Sequence, residues 1–255
     1  VSNAELIQKQ KNLDDDLHAA ATIQQSFLPP TTCKISNFQF ASTWLPANLL
    51  GGDIFNTIQC GKDKIIFYMI DVSGHDVTSA LVTVSVSQYL YQQSTSDHLL
   101  SPKQMMLELD KEYSIERFNR YFTIFYIVFD IPTGTFSYSS AGHPPAVLLS
   151  KNKAFKLLEA GGTIIGLNQA LPFEEGSETL VPGDKLFLYT DGVTERKNQK
   201  GELYGTEKLY PLLEKIKNKP VAEIVDIVRI SLDAFGYGVT AQDDIGIMCF
   251  EYIHN

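Results

Sequence analysis

Residues 64–76 read KIIFYMIDVSGHD, and the reading of this stretch decides the fold. Its first part, 65–70, is an unbroken run of β-branched and aromatic residues, which suits a strand buried on both faces. The run delivers a carboxylate, Asp71, and then a turn of small residues, Val72-Ser73-Gly74-His75. From Asp76 the pattern becomes helical, with Val77, Ala80, Leu81, Val84 and Gln88 spaced as one face of a helix. A buried strand that ends in an acid and turns into a helix can fix a reactive group at the edge of a core. The same residues also suit plain caps, Asp71 for the turn and Asp76 for the helix. The stretch alone leaves both readings open.

The totals narrow the field. A chain of 255 residues fits one large domain or two small ones, and 44% hydrophobic with 20% charged residues is a globular composition. The net charge of −9 disfavours a nucleic-acid backbone as partner and suits cation binding. Cys33, Cys60 and Cys249 are isolated, so neither a zinc site nor a disulfide framework is indicated. None begins a Cys-x5-Arg loop, which argues against cysteine-based phosphatase chemistry. No apolar run approaches the ~18–20 residues of a membrane span. The N-terminus is charged where a signal peptide would be apolar, and the chain reads as cytoplasmic. Ser2-Asn3-Ala4 reads as the scar of an expression tag, which would make the chain a piece of a longer protein.

Two organisational units are expected: residues 1–30 as a helical connector and dimerisation segment, and residues 31–255 as one domain. Over 5–28 no Gly or Pro interrupts a helix, and Leu6, Gln10, Leu13, Leu17, Ala20, Gln24 and Phe27 follow a 4-3-4-3 spacing. That is a coiled-coil-like seam weakened by two glutamines; an amphipathic helix packed on its own domain would look much the same. Pro29-Pro30 ends it. Strands are expected over 38–44, 54–60, 121–129, 135–140, 146–150, 155–158, 163–167, 185–190 and 245–252, and helices over 76–93, 102–118, 207–217 and 221–235. A polar linker is expected over 94–101. His143, in Ala141-Gly142-His143-Pro144-Pro145, is either a ligand or a structural residue beside a rigid turn.

The acids share one grammar. Asp53, Asp71, Asp191 and the pair Asp243-Asp244 each stand at the end or start of an apolar strand. Carboxylates gathered at one sheet edge repel each other and need a cation. Oxygen donors without Cys or paired His point to Mg2+ or Mn2+ rather than Zn2+. Gly51-Gly52-Asp53-Ile54-Phe55 lacks the acidic fourth residue of the GGDEF signature of dinucleotide cyclases, so that reading is rejected.

In order along the chain stand AATIQQSFLPP, GGDIFN, DVSGHD, SSAGHPP, LFLYTDGVTE and QDDIGI. With these motifs the sequence, from Ala20 to about Tyr252, resembles the metal-dependent PP2C-like (PPM) serine/threonine phosphatases of the bacterial SpoIIE/RsbU-type branch. The resemblance implies an α+β fold, a four-layer α-β-β-α sandwich of two antiparallel sheets with helices outside, here preceded by an N-terminal helix. It implies two Mn2+ or Mg2+ ions: Asp71 bridging them, the Val72 carbonyl on one, Asp191 and Asp243 on the second, and Asp53 bound directly or through water. Asp244 is a weaker candidate. Such a pair lowers the pKa of a bound water and clamps a phosphoryl group for in-line attack, so Asp71, Asp191 and Asp53 count as catalytic.

Two departures stand out. Asn56 replaces an acid common in the family, removing a charge near the site, and Asp76 replaces a glycine after the histidine. The implied function is hydrolysis of a phosphoserine or phosphothreonine on a regulator such as a STAS-type anti-sigma factor antagonist. An upstream sensor or receiver domain and a homodimer through the N-terminal helix would complete the system. The alternative is a weakly active or inactive phosphatase-fold module that binds a partner.

Overall fold

The computed structural model describes residues 2–95, 99–168 and 171–253. The chain opens with helix α1 (Asn3–Gln25), then strands β1 (Thr32–Ile35), β2 (Phe38–Leu45), β3 (Asp53–Cys60) and β4 (Lys64–Val72). Helices α2 (Val77–Ser94), α3 (Pro102–Glu112) and α4 (Ile115–Phe118) lead to β5 (Phe122–Asp130), β6 (Thr135–Ala141) and β7 (Ala146–Leu149). Short strands β8 (Lys156–Leu158), β9 (Gly161–Gly162) and β10 (Gly176–Thr179) precede β11 (Lys185–Tyr189). Helices α5 (Asp191–Thr194), α6 (Thr206–Ile216) and α7 (Val221–Phe235) precede the last strand, β12 (Ile245–Tyr252).

The strands make two sheets. One runs β10-β6-β5-β4-β3, with β9 beside β6; the other runs β1-β2-β12-β11-β7-β8. All pairings are antiparallel except β6 with β9. Alternation along each strand sorts the side chains into three layers. Phe67 and Met69 of β4 face Phe40, Leu188, Met248 and Phe250 between the sheets, and the Phe67 and Phe250 rings stack at 3.8 Å. Ile66, Tyr68 and Ile70 face outward onto Val86 and Leu90 of α2 and Met105 and Leu109 of α3. On the far side Phe187 and Ile247 pack under Leu209 and Leu213 of α6 and Ile224 and Val228 of α7. The result is an α-β-β-α sandwich whose core strand, β4, is buried on both faces.

Most expected elements fall within one or two residues of the observed ones, and the differences have physical causes. The helix expected over 102–118 breaks at Tyr113, whose ring turns inward to stack on Phe118 and meet Phe122 edge-on. The strand expected over 163–167 is reduced to an isolated bridge between Ile165 and Phe122. The pairing lies instead at Gly161–Gly162, where the backbone runs so close to the Ser140 carbonyl that a side chain could not fit. β1 and β10 are polar edge strands with little apolar alternation to announce them. In α2 the expected stripe is rotated. Val77 and Leu81 are exposed, while Ser79, Val82, Thr83, Val86 and Leu90 are buried, because small and hydroxylated residues let the helix lie close to the sheet. Of the linker expected over 94–101, residues 96–98 lie outside the described residues.

Candidate functional site

The carboxylates meet at one open edge of the sandwich. Asp53 opens β3 and stands opposite Asp71 near the end of β4. Their strand neighbours Ile54, Ile70 and Val72 face α2, so alternation turns Asp53 and Asp71 into the gap between the sheets. From the other sheet, β11 ends at Tyr189 and releases Thr190-Asp191, and β12 begins just after Asp243-Asp244. Thr190 ties the sheets together: its Oγ1 donates to Asp53 Oδ2 at 2.7 Å and accepts from the Gly246 N–H at 2.9 Å.

The electrostatics report the crowding. Burial, then the charges of Asp71 and Asp244, push the fully buried Asp53 carboxyl well above the usual range. Burial, then Asp191, Asp243 and Asp244, do the same to Asp71. Asp191 is pushed up to about 6 by burial and by Asp243 and Glu195. Asp71 and Asp191 approach each other across the sheets, and their closeness raises Asp71 further while offsetting part of the rise in Asp191. Asp243 is exposed and repels all three. Among the described residues no three His, Cys, Asp or Glu side chains stand ready-made as ligands of one ion. The acids are near enough to repel, and Asp53 is turned to accept from Thr190.

Asp244 serves the backbone. Its carboxylate accepts from the N–H groups of Ala47 at 2.7 Å, Gly52 at 2.5 Å and Asp53 at 3.4 Å, which pins the loop that presents Asp53. The glycine pair is needed here for close approach, not for positive φ. A Cβ on Gly51 would strike Asp244 Oδ2, and one on Gly52 would collide with the carbonyls of Val72 and Gly74. The Val72 N–H in turn donates to the Gly52 carbonyl at 2.9 Å.

The two departures bond elements beside this edge and not the carboxylates themselves. Asn56 lies three residues past Asp53, hence on the opposite face of β3. Its Nδ2 donates to the Phe27 carbonyl at 2.5 Å, so it holds the end of α1 and not a site charge. The expectation of a lost charge beside the carboxylates is corrected by that alternation. Asp76 has φ −105° and caps α2 by accepting from the Ser79 N–H at 2.9 Å, so no glycine-only conformation is demanded there. The positive φ belongs to Gly74. Asp76 also pairs with Arg120, which donates to Ser79 Oγ and so braces the turn after Asp71. His143 is buried inside the crossover from β6 to β7, and burial drives its pKa down to about 3, so it is neutral.

Sequence reading missed three contributors. Thr190 sits unremarked before Asp191-Gly192. Thr123 pairs with Asp71 across β4–β5. Gln24, expected to weaken a seam, is 2% exposed: its amide accepts from the Gly51 N–H at 3.1 Å and donates to the Gly51 carbonyl at 2.6 Å and to Thr83 Oγ1 at 3.1 Å. Its burial has no local signal, since only the tertiary placement of α1 creates it. A cleft of about 80 Å³, lined by Gly192, Lys197, Gln242 and Asp243, opens beside the carboxylates. Two roomier clefts, about 360 and 380 Å³, lie at the end of α1 instead.

With that geometry in place, comparison with known proteins is decisive for kinship. Residues 61–253 match the Stage II sporulation protein E (SpoIIE) family. The chain belongs to the SpoIIE family. This SpoIIE-family chain is 30% identical over 226 residues to the phosphoserine phosphatase RsbP of Bacillus subtilis (strain 168), covering 87% of this chain and 54% of that protein. It is 27% identical over 226 residues to the phosphoserine phosphatase RsbU of the same organism, covering 88% of this chain and 66% of that protein. The chain thus spans between half and two thirds of the length of these relatives. In fold it is similar to the SiaA-PP2C domain of Pseudomonas aeruginosa, with a TM-score of 0.82 at 19% identity over 96% of this chain and 98% of that one. It is also similar to RsbX in complex with magnesium (TM-score 0.64, 14% identity, 86% and 98% covered). The catalytic domain of the phosphatase PstP in complex with two manganese ions is a further neighbour (TM-score 0.56, 13% identity, 85% and 99% covered). These neighbours share the α-β-β-α fold.

Proposed function

We propose that this chain is the catalytic domain of a divalent-metal-dependent protein serine/threonine phosphatase. The observation that carries the reading is the meeting of Asp71 of one sheet with Asp191 of the other, with Asp53 close enough to feel the charge of Asp71 and Asp243 close enough to repel both. Acids from two sheets pressed together at an open edge cost stability unless a cation joins them. The donors are all carboxylate or carbonyl oxygens, which fits Mg2+ or Mn2+. Magnesium and manganese in fold neighbours support the same choice.

Asp71 would bridge two ions, the Val72 carbonyl would join one of them, Asp191 and Asp243 would hold the second, and Asp53 would bind directly or through water. When bound, such ions supply the charge that activates a water and offsets the phosphoryl oxygens. The chain's own part is orientation. Thr190 fixes one oxygen of Asp53, Asp244 fixes the loop before it, and Arg120 with Asp76 fixes the turn after Asp71. No covalent enzyme intermediate is needed.

The phosphoserine phosphatases RsbP and RsbU support a phosphoserine or phosphothreonine substrate, and a small STAS-type regulator fits that class. An upstream sensor or receiver domain would act through α1, and two chains would pair through it. No helix among the described residues is long and apolar enough to cross a membrane, and we place the domain in the cytoplasm. The inactive-module alternative rested on Asn56 and Asp76, and neither disturbs the carboxylate edge. The test is hydrolysis of p-nitrophenyl phosphate and of a phosphoserine peptide with Mn2+ and with chelator. Turnover that requires Mn2+ is expected; turnover indifferent to the chelator, or none at any Mn2+ concentration, would overturn the reading.

A further inference from the structure

We propose that His143 is a positioning residue that sets the spacing between Asp71 and Asp191 by tying the crossover between the two sheets to Thr123, the residue opposite Asp71. The inference rests on the metal reading given above. The chain leaves the first sheet at the end of β6, Ala141, and enters the second at the start of β7, Ala146, so Gly142-His143-Pro144-Pro145 is a direct crossover between them. The crossover is rigid. Gly142 holds φ +64° and donates its N–H to the Gly162 carbonyl, Ser140 Oγ donates to the His143 carbonyl at 3.1 Å, and two prolines follow.

The imidazole bonds the first sheet from within the crossover to the second. Nδ1 lies 2.7 Å from Thr123 Oγ1, and Thr123 is the β5 residue directly opposite Asp71. On the other side the Tyr189 backbone, two residues before Asp191, partly offsets the cost of burying the ring. Nε2 is buried and has no hydrogen-bond partner among the described residues. The tautomer that fits has Thr123 donating to Nδ1 and the proton on Nε2, a buried donor without an acceptor. A buried donor left in this state needs a reason. Fixing the gap across which Asp71 and Asp191 must share ions supplies one, and groups that orient ligands typically change metal affinity 10–100-fold when lost.

The experiment titrates Mn2+ into the full chain by calorimetry and by the loss of the free-ion EPR signal, for wild type, Thr123→Val, His143→Ala, His143→Asn and the double variant Thr123→Val/His143→Ala. Near-ultraviolet circular dichroism checks each fold. Thr123→Val and His143→Ala should each weaken Mn2+ binding about tenfold. The double variant should bind no worse than His143→Ala, because both break one strut. His143→Asn, whose amide takes the place of Nδ1, should recover most of the affinity. Folded variants that bind Mn2+ as wild type does, or losses that multiply in the double variant, would overturn the proposal. If His143→Ala does not fold, Thr123→Val against His143→Asn decides it. A wild type that takes up no Mn2+ would overturn the metal reading itself, an outcome distinct from any difference among the variants.

Discussion

Asp53 and Asp71 stand directly opposite each other in the β3–β4 register, both turned into the gap between the sheets. Each is held above the usual carboxylate range by burial first and by neighbouring acids second. Two strands that could have closed their end with any apolar pair close it with two acids, and the opposite sheet adds Asp191.

Asp71→Asn tests the centre of this arrangement. The amide carries no charge to place between two cations. Mn2+-dependent turnover should fall to background. The metal-free protein should become more stable, since one repelling acid is gone, and its urea midpoint in chelator should rise. Full activity in the folded variant would sink the assignment.

The raised pKa values set a pH dependence with a definite sign. Asp191 titrates near 6 in the folded chain, and Asp53 and Asp71 are raised as well. Between about pH 4, where free carboxyls ionise, and those folded values, the native state holds more protons than the unfolded one. These groups therefore favour the fold at low pH, and the Asp191 share of that contribution is lost as pH rises through about 6. Urea midpoints in chelator from pH 4.5 to 7.5 should show less decline for Asp191→Asn than for wild type. Saturating Mn2+ should flatten the wild-type decline, because a cation favours the ionised acids. Parallel wild-type and Asp191→Asn curves in chelator would refute the coupling.

Gln24 joins the N-terminal helix to the loop that presents Asp53. Its amide bonds both backbone groups of Gly51, whose neighbour Gly52 lies against the Val72 carbonyl. Gln24→Ala should cost about 1–3 kcal/mol of stability by leaving buried groups of Gly51 unpaired. It should also raise the Mn2+ concentration needed for half activity. Asn56→Asp should leave that concentration unchanged, since residue 56 faces the helix layer and a carboxylate there merely loses the bond to Phe27. A lowered Mn2+ requirement in Asn56→Asp would show that the strand face has been misassigned.

What the sequence disclosed follows from the range of the interactions involved. The buried strands announced themselves because β-branched and aromatic runs such as 65–70 record burial locally. Their acidic ends were legible for the same reason, since a charge abutting such a run is conspicuous. The partners that orient those acids were not. Thr190 is unremarkable until the other sheet brings Asp53 to it, and Thr123 until the crossover brings His143. Gln24 looked like a flaw in a seam because the pattern of one helix cannot show that a loop 27 residues away needs its amide. In α2 the moment of the apolar residues misled, since the buried face is built from Ser79, Thr83 and Ser87, which the sheet admits for their small size.

The outer face of α1 carries the last prediction. Leu6 is 55% exposed and Leu13 53%, and Ile23 beside the seam is 61% exposed, while further along the same seam Gln24, with Ala21 beside it, is buried against the domain. Leu17 packs partly against Ala21, Leu50 and Ala80, so the expected seam divides: its C-terminal end serves the domain, and the leucines of its N-terminal end stand exposed among the described residues. A cleft of about 120 Å³ continues the apolar strip past Ala20 and Ile23 to Val77 and Leu81 of α2. Exposed leucines at helical spacing are satisfied most simply by a second copy of the same helix. Because α1 also holds Gly51 through Gln24, pairing would tilt the element that presents Asp53. Leu6→Glu with Leu13→Glu should therefore shift the chain toward monomer in sedimentation equilibrium and change the basal rate, while the melting temperature, set by the untouched domain, stays within a few degrees. A wild type that is monomeric at high concentration, with a variant of identical rate, would reduce the N-terminal half of α1 to a passive connector.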